Sequence, residues 1–364
     1  MTLTASERVN SAGSIWEFLA GAVAAYGDAV AFENYHNSLS FADMGRYADA
    51  LAAYMQGKMG ITKGTKVALM SPNCLAHPVA TMAILKCGAV QVSVNPLYTP
   101  DELEHQLNDS EAEFLLIFSG SIASFAPVRD KVGIRQVLVM DLGDCGQKPL
   151  PSPPVPDGFA DFERLSVALE QGVSLAFYPV DLCREDLAFL QYTGGTTGPS
   201  KGAMLTHGNL LANVDQTFDM AHSVLVEREE VMVTALPLYH IFALMVNFLC
   251  YTGFGAKNIL ITNPRDMDQF IGAIKDSGFT RINGVNTLYA GMMLHPEFGN
   301  VDFSRLKQAV GGGTATMQAV SEKWEDFTGK PILEGYGLSE TSPVLTMCPP
   351  EWTEFTGTIG HALK

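Results

Sequence analysis

Short apolar runs alternate with amphipathic stretches along the first half of the chain. Strands are predicted at residues 66–70, 89–94 and 113–118, and a helix at 75–86. Another helix is predicted to begin after Thr99, because Thr99 can cap it, Pro100 suits its first turn and Glu102 can complete a capping box. This alternation predicts a largely parallel sheet covered by helices.

The second half of the chain continues the alternation around glycine-rich segments. Further strands are predicted at residues 186–192, 203–205, 231–235, 257–261, 280–285, 308–310 and 331–334. Leu210, Val214 and Phe218 recur at a helical spacing, and a second amphipathic helix is predicted to begin at Met267. The last two predicted strands end at glycines, and ligands bind at such strand ends in open parallel sheets.

Five prolines, at positions 149, 151, 153, 154 and 156, separate the two halves. A segment of this kind cannot continue a helix or a central strand. It is predicted to be an extended connector between subdomains, and a flexible recognition tail is the alternative.

Composition and charge narrow the range of functions. The 364 residues are 47% hydrophobic, enough for a sizeable core, and carry a formal net charge of -16 at pH 7. Because nucleic-acid phosphates need a basic surface, this charge argues against a nucleic-acid partner. The six cysteines form no C-x-x-C pair, which favours reduced, mostly buried thiols in a cytoplasmic protein over zinc or disulfides.

No segment is predicted to cross a membrane. The N-terminus has no basic segment leading into an apolar run. The longest apolar stretch, residues 241–252, is shorter than the roughly 20 residues that a spanning helix needs. Peripheral contact with a membrane stays open.

The most informative segment is a loop of glycines, hydroxyls and one lysine, with the sequence Gln-Tyr-Thr-Gly-Gly-Thr-Thr-Gly-Pro-Ser-Lys-Gly at 191–202. Glycines bring backbone N–H groups close to a ligand, hydroxyls contact phosphate oxygens or magnesium, and lysine adds positive charge. The composition predicts a loop around a polyphosphate. A flexible surface linker is the alternative, although linkers are rarely bounded so closely by apolar strands.

This loop differs from the common nucleotide-binding loop. The pattern G-x-x-x-x-G-K-[ST] has Gly directly before the Lys and a hydroxyl directly after it. Here Ser200 precedes Lys201 and Gly202 follows it. The predicted strands on both sides also make the unit strand–loop–strand, so a generic P-loop NTPase is disfavoured.

Three further segments each follow a predicted strand: Leu-Pro-Leu-Tyr-His-Ile-Phe at 236–242, Gly-Gly-Gly at 311–313 and Glu-Gly-Tyr-Gly-Leu-Ser-Glu-Thr at 334–341. Each has an ordinary explanation when taken alone. A lone histidine such as His240 is more often a hydrogen-bonded core residue, a triple glycine is usually a turn, and Glu340 beside Ser339 fits a helix-capping pair.

Together and in this order, these segments resemble the adenylate-forming (AMP-binding) superfamily of acyl-CoA synthetases, adenylation domains of peptide synthetases and luciferases. The resemblance covers nearly the whole chain, including residues 95–99 and 205–209. Residues 236–244, 262–266 and 284–287 most resemble the N-terminal part of bacterial long-chain fatty-acid CoA ligases.

The resemblance implies an α/β fold of two stacked flavodoxin-like, mostly parallel sheets covered by helices, with only the start of a third β-barrel subdomain. The implied division is an N-terminal α/β subdomain over 1–183 that includes the connector 148–157, a second α/β subdomain with the ATP site over 184–345, and the start of a β subdomain over 346–364. The C-terminal lid domain would be absent.

The resemblance also implies roles for the motif residues. The loop would hold the β- and γ-phosphates of ATP, and Thr196 and Glu340 would coordinate Mg²⁺. Tyr336 and the triple-glycine backbone would sandwich adenine, and Ser339 stands where the family usually has Thr to contact the α-phosphate. The implied ATP-binding set is Thr193, Gly194, Gly195, Thr196, Thr197, Gly198, Ser200, Lys201, Gly311, Gly312, Gly313, Glu334, Gly335, Tyr336, Gly337 and Ser339, and the implied catalytic set is His240, Thr196 and Glu340.

The implied reaction is attack of a fatty carboxylate on the α-phosphorus of ATP, giving acyl-AMP and pyrophosphate, after which the thiol of coenzyme A displaces AMP. His240 would line the site between ATP and the acyl carboxylate. The acyl chain would need an apolar tunnel, in which each buried CH₂ contributes about 0.8 kcal/mol. The predicted substrate-binding set is His240, Phe242, Met245, Val285, Asn286 and Leu288, and ordinary core packing is the alternative for the four apolar members.

The chain departs from the family pattern at its end, because only 24 residues follow Glu340. The family's ribose-binding aspartate, hinge and C-terminal catalytic lysine lie farther along, and Lys364 is not in a matching motif. We therefore expect a truncated fragment with weak binding and little turnover, in the cytoplasm or peripheral to the inner membrane, with a homodimer left open. The alternatives are an amino- or aryl-acid adenylating domain and a non-catalytic fragment that binds ATP and acyl groups.

Overall fold

The computed structural model describes residues 3–193 and 199–364. The α-helices in these ranges are α1 (Ala5–Ser11), α2 (Ile15–Tyr26), α3 (Phe41–Gly57), α4 (Ala76–Lys86), α5 (Pro100–Asp109), α6 (Ile122–Phe125), α7 (Leu165–Gly172), α8 (His207–Ala221), α9 (Tyr251–Gly253), α10 (Met267–Ile274), α11 (Asn286–Met292) and α12 (Gln318–Thr328). A π-helix spans Ala243–Cys250, and a 3-10 helix spans Ser339–Thr341.

The strands in the same ranges are β1 (Val30–Asn34), β2 (Asn37–Ser40), β3 (Lys66–Met70), β4 (Val90–Val94), β5 (Phe114–Phe118), β6 (Gln136–Met140), β7 (Glu163–Arg164), β8 (Leu187–Thr193), β9 (Lys201–Thr206), β10 (Val231–Thr234), β11 (Lys257–Leu260), β12 (Arg281–Gly284), β13 (Gln308–Gly311), β14 (Ile332–Gly337), β15 (Val344–Met347) and β16 (His361–Ala362). The strands and helices predicted from the hydrophobic pattern are confirmed to within a few residues at their ends.

Two mixed, mostly parallel sheets organise these strands. The large sheet has the order β16-β15-β14-β13-β12-β10-β11-β1-β2, and the small sheet has the order β7-β6-β5-β3-β4-β8-β9. Antiparallel pairing occurs at β1–β2, β14–β15 and β15–β16 in the large sheet and at β8–β9 in the small sheet. The predicted α/β class with two mostly parallel sheets is therefore confirmed.

The core follows from the alternation of side chains along buried strands. Val67 and Leu69 of β3 lie in the largest apolar cluster, whereas Ala68 and Met70 lie in a second cluster on the other face. The largest cluster also contains Leu260 of the large sheet, so one core joins both sheets. Helix α4 is buried in this core on nearly every side, as an almost continuous apolar helix must be.

The local start signals for α5 act as predicted. The Thr99 side chain accepts a hydrogen bond from the Glu102 backbone, and the Glu102 carboxylate accepts one from the Thr99 backbone at 2.9 Å. Pro100 occupies the first turn, where its missing N–H leaves no broken bond. The proline-rich residues 148–157 contain no helix or strand.

The two sheets interleave along the sequence. Strands β1 and β2 join the large sheet, whereas β8 and β9 complete the small sheet although they follow residue 184. Strands β15 and β16 extend the edge of the large sheet. The division into subdomains at 183 and 345 stays a prediction.

The cysteine thiols are mostly buried, as predicted. Within the described residues all six cysteines are free, and five of them are buried, Cys183 being exposed. None of the helices described is long and apolar enough to cross a membrane.

Candidate functional site

A cavity of about 620 Å³ lies at the carboxyl ends of β12, β13 and β14. This is the edge at which open parallel sheets bind ligands. Predicted site residues from four separate segments meet around it. Those that line the cavity are Thr193, His240, Phe242, Gly312, Gly313, Gly335, Tyr336, Gly337, Ser339 and Glu340.

The glycines after β13 permit a close approach that no side chain would allow. A Cβ on Gly312 would lie 2.8 Å from Cε1 of Phe242 and 3.3 Å from the carbonyl oxygen of Gly335. A Cβ on Gly311 would lie 2.2 Å from Oγ1 of Thr316, so Gly311 serves packing just outside the cavity lining. Gly311 and Gly312 are thus closely packed, whereas Gly313 is exposed at the cavity, as is Tyr336 on the next strand, which is 44% exposed.

Two predicted site residues brace this edge without lining the cavity. Oε1 of Glu334 accepts a hydrogen bond from the Thr316 backbone N–H at 2.9 Å. Oδ1 of Asn286 accepts one from the Met317 backbone N–H at 2.9 Å, at the start of α12. Both side chains hold the segment that follows the triple glycine, so the structure places them beneath the site.

His240 lies in the segment between β10 and the π-helix. Its backbone N–H donates to the carbonyl of Pro237 at 2.9 Å, and its Nδ1 accepts from the Phe242 backbone N–H at 3.3 Å. His240 is exposed at the cavity, and desolvation by the surrounding protein lowers its pKa below the ordinary 6.5, which favours the neutral ring at pH 7. Because Nδ1 accepts a hydrogen bond, the neutral ring carries its proton on Nε2.

Helix α5 contacts both stems of the glycine-rich loop. The stems pair in antiparallel fashion, with Thr193 opposite Lys201. The hydroxyl of Tyr192 donates to Oδ2 of Asp109 at 2.6 Å, and Nε2 of His105 lies 2.9 Å from the carbonyl oxygen of Ser200. Neither Ser200 nor Lys201 lines the cavity.

Of the two residues predicted to bind Mg²⁺, the structure describes only Glu340. Glu340 is exposed and its position lines the cavity, so a carboxylate is present where a hard oxygen-loving ion could bind. Thr196 lies outside the described residues, with Gly194, Gly195, Thr197 and Gly198. In the described ranges, no group of three or more His, Cys, Asp or Glu side chains could hold a metal ion.

The predicted acyl walls are only partly brought together. Phe242 lines the cavity, whereas Met245 is fully buried in the largest core and does not line it. Leu288, in α11, is buried in the second core, and Val285, directly after β12, is partly buried against it. Neither lines the cavity, and an acyl-binding role for them stays a prediction.

Two helical segments supply an apolar wall that the sequence analysis did not identify. These cavity-lining residues are Phe218, Ala221 and Leu225 in and after α8, and Val246, Cys250, Tyr251 and Phe254 along the π-helix and α9. Continuing the helical spacing of Val214 and Phe218 to Ala221 and Leu225 would have revealed the first part. The second part follows from an interruption of α-helical geometry, which the apolar run 241–252 does not show.

Comparisons with known proteins identify the family of the chain. A family model described as AMP-binding enzyme matches residues 19–364. A long-chain-fatty-acid–CoA ligase from Escherichia coli is 41% identical over 362 residues, which cover 95% of this chain and 64% of that protein. The chain thus spans less than two thirds of the length of this curated relative.

Two solved structures share the fold. An anthranilate CoA ligase in complex with anthranoyl-AMP superposes with a TM-score of 0.83 at 21% identity, covering 96% of this chain and 64% of that one. A long-chain-fatty-acid-CoA ligase from Archaeoglobus fulgidus gives a TM-score of 0.80 at 24% identity, covering 96% and 69%. At these identities the likeness concerns the fold alone. The family match over residues 19–364 shows that the chain belongs to the AMP-binding enzyme family.

Proposed function

We propose that this chain serves the ATP-dependent activation of a medium- or long-chain fatty acid, first to acyl-AMP and then to acyl-CoA. One observation carries the proposal. A single cavity is lined at one end by the predicted nucleotide residues, such as Gly312, Tyr336 and Glu340, and along one side by apolar helical residues, such as Phe218 and Val246. The name of the Escherichia coli relative supports the fatty-acid substrate.

The nucleotide end of the cavity suits an adenine ring. Gly313 is exposed at the cavity, Gly312 is buried against Phe242, and the half-exposed Tyr336 lies on the next strand. An aromatic face and a bare peptide surface can hold a flat ring between them. Ser339 and Glu340 then lie at the phosphate side, at the start of the 3-10 helix.

His240 is placed to orient the acyl carboxylate. Its neutral ring can donate one hydrogen bond from Nε2 without adding a charge that would make the carboxylate a poorer nucleophile. The apolar walls beyond it exclude water from the acyl chain. Glu340 and Thr196 would hold Mg²⁺, which supplies neutralisation of the charge that develops on the phosphates during the transfer.

Calorimetry with a non-hydrolysable acyl-adenylate analogue tests this proposal without requiring turnover. The wild-type chain is expected to bind a dodecanoyl-adenylate analogue more tightly than a benzoyl-adenylate analogue. Gly312→Ala should weaken binding at least tenfold, about 1.4 kcal/mol, because its Cβ would press on Phe242. Gly272→Ala, with no atom within 4 Å of the added Cβ, is the matched control.

Three results would count against the proposal. If the wild-type chain binds neither analogue, the proposed function is refuted. If Gly312→Ala and the wild type bind the analogue with equal affinity, the nucleotide part of the analogue does not bind beside Gly312. Tighter binding of the benzoyl analogue would favour the aryl-acid alternative instead.

A further inference from the structure

The cavity has a polar wall opposite its apolar helices. That wall is one face of the large sheet. Its polar side chains are Asn283 of β12 and Gln308 of β13, and the apolar Val310 lies on the same face. Gln308 and Val310 share this face because side chains alternate along a strand, and Ala309 between them packs in the core on the opposite face. A tunnel for a plain hydrocarbon chain gains nothing from these amides.

Gln308 lines the part of the cavity that is remote from the glycines, and it also borders a second surface pocket with Arg281 and Lys307. It precedes Gly311 by three residues along β13, and a strand rises about 3.3 Å per residue, so it is about 10 Å from the glycine edge. The nucleotide is proposed to bind at that edge. Gln308 therefore lies beside the acyl chain, some way along its length from the carboxylate.

The amide nitrogen of Gln308 is an unpaired donor. Gln308 is 6% exposed, its Oε1 accepts a hydrogen bond from Arg281, and its Nε2 has no partner within the part of the chain that the structure describes. Arg281 is itself fixed by Glu230 at 3.3 Å and by the carbonyl of Val224 at 2.9 Å. The amide orientation is thus set, with Nε2 as the group left for another acceptor.

Asn283 supplies the complementary acceptor. Its Nδ2 donates to Oδ1 of Asn247 at 2.8 Å, which leaves its own Oδ1 as an acceptor on the cavity wall. In the parallel register Arg281 pairs with Gln308, and Asn283 pairs with Val310, so Asn283 and Gln308 are diagonal neighbours on one face. A donor and an acceptor side by side match an aliphatic hydroxyl, which both donates and accepts.

We propose that the acyl substrate is a hydroxylated fatty acid, whose mid-chain hydroxyl donates to Oδ1 of Asn283 and accepts from Nε2 of Gln308. The inference rests on the proposed function and adds the substrate class of the same cavity. Within the described residues, the Gln308 nitrogen is already buried without a partner in the free chain, and an unsubstituted acyl chain would leave it so, whereas a hydroxyl placed beside it would satisfy it.

Calorimetry with matched acyl-adenylate analogues tests the inference. One analogue carries an unsubstituted dodecanoyl chain. The others carry the same chain with one hydroxyl, placed at a different mid-chain carbon in each. The wild type is expected to bind the best hydroxylated analogue about tenfold more tightly than the unsubstituted one. A polar substituent in a merely apolar tunnel would have the opposite effect, since its desolvation would go uncompensated.

Substitutions test whether the Gln308 amide causes the preference for hydroxylated analogues. Gln308→Met keeps the length of the side chain and should abolish the preference while binding the unsubstituted analogue at least as well as the wild type. Asn283→Leu, which leaves the Arg281 contact intact, should also reduce the preference and serves if Gln308→Met does not fold. Gln318→Met, on the exposed face of α12, is the control and should retain the wild-type preference.

The outcomes separate this inference from the proposed function. It is overturned if the unsubstituted analogue binds as tightly as every hydroxylated one, or if Gln308→Met keeps the wild-type preference. Either result leaves fatty-acid activation supported. If neither type of analogue binds, the proposed function fails and the inference fails with it.

Discussion

Nε2 of His105 lies 2.9 Å from the carbonyl oxygen of Ser200, although 95 residues separate them in the sequence. The contact joins α5 to the second stem of the glycine-rich loop, while Asp109 on the same helix holds Tyr192 on the first stem. One helix with a well-defined N-terminus therefore fixes both ends of the predicted phosphate loop. His105 and Asp109 are positioning residues in this account.

Replacing His105 by alanine is expected to weaken binding of ATP with Mg²⁺ about fivefold, because one hydrogen bond of about 1 kcal/mol at the loop stem is lost. The dissociation constant of ATP, measured by calorimetry, checks this. His222→Ala is the matched control, since Nδ1 of His222 lies 2.6 Å from the carbonyl oxygen of Asp219 on an exposed helix end. Equal effects of the two substitutions would contradict a positioning role for His105.

The buried carboxylate of Glu230 holds together the amino-terminal ends of strands β10, β12 and β13. It contacts Arg281, which is 1% exposed, at 3.3 Å and Lys307 at 2.6 Å. Glu230→Gln should lower the free energy of unfolding by about 3 kcal/mol, because it leaves the Arg281 charge buried without its partner. Urea unfolding measures the loss, and the exposed neighbour substitution Glu229→Gln should change stability by less than about 0.5 kcal/mol.

The same carboxylate predicts a pH dependence. Burial raises the pKa of Glu230, but the hydrogen bonds from Lys307 and Thr280 and the charge of Arg281 outweigh it, so the pKa lies below its ordinary value of 4.5. A lowered folded-state pKa contributes stability above the unfolded pKa and loses it as the pH falls. The difference in stability between wild type and Glu230→Gln should stay constant from pH 7 to about pH 5 and shrink below about pH 4.5. A difference that grows toward acid pH would contradict this assignment.

Two helical glycines should respond oppositely to alanine. A Cβ on Gly172 of α7 would lie 2.0 Å from the carbonyl oxygen of Ala50, so Gly172→Ala should destabilise the fold by about 1–3 kcal/mol as α3 and α7 separate. Gly272 of α10 has no atom within 4 Å of the added Cβ, so Gly272→Ala should stabilise by about 0.4–1 kcal/mol. Thermal unfolding of both variants checks the signs. Stabilisation by Gly172→Ala would show that the α3–α7 contact is not close.

Local signals in the sequence were sufficient for much of this fold. The capping residues Thr99 and Glu102 mark the start of α5, and the apolar run 66–70 marks β3, because these features depend on neighbours in the chain. The loop was recognisable by its composition, and the triple glycine and Glu340 by the resemblance of the ordered segments to the AMP-binding superfamily. Each of these motifs is only a few residues long.

Contacts between distant segments were not predictable in the same way. The joining of β1 to β11 and the contact of His105 with Ser200 depend on tertiary packing, which periodicity does not encode. Met245 illustrates the same limit for the site, since an apolar residue beside a motif can face either the cavity or the core. The polar wall at Gln308 was missed because a single glutamine in a strand has no sequence signature.

If one cavity holds the nucleotide and the acyl chain in separate parts, Ala221→Phe should affect only the acyl part. Ala221 lines the apolar part, so the larger ring should fill the space of several methylenes at about 0.8 kcal/mol each. Calorimetry should show at least tenfold weaker binding of the dodecanoyl-adenylate analogue to this variant than to the wild type, with the affinity for ATP unchanged. Unchanged binding of the analogue, or an equal loss for ATP, would contradict the account.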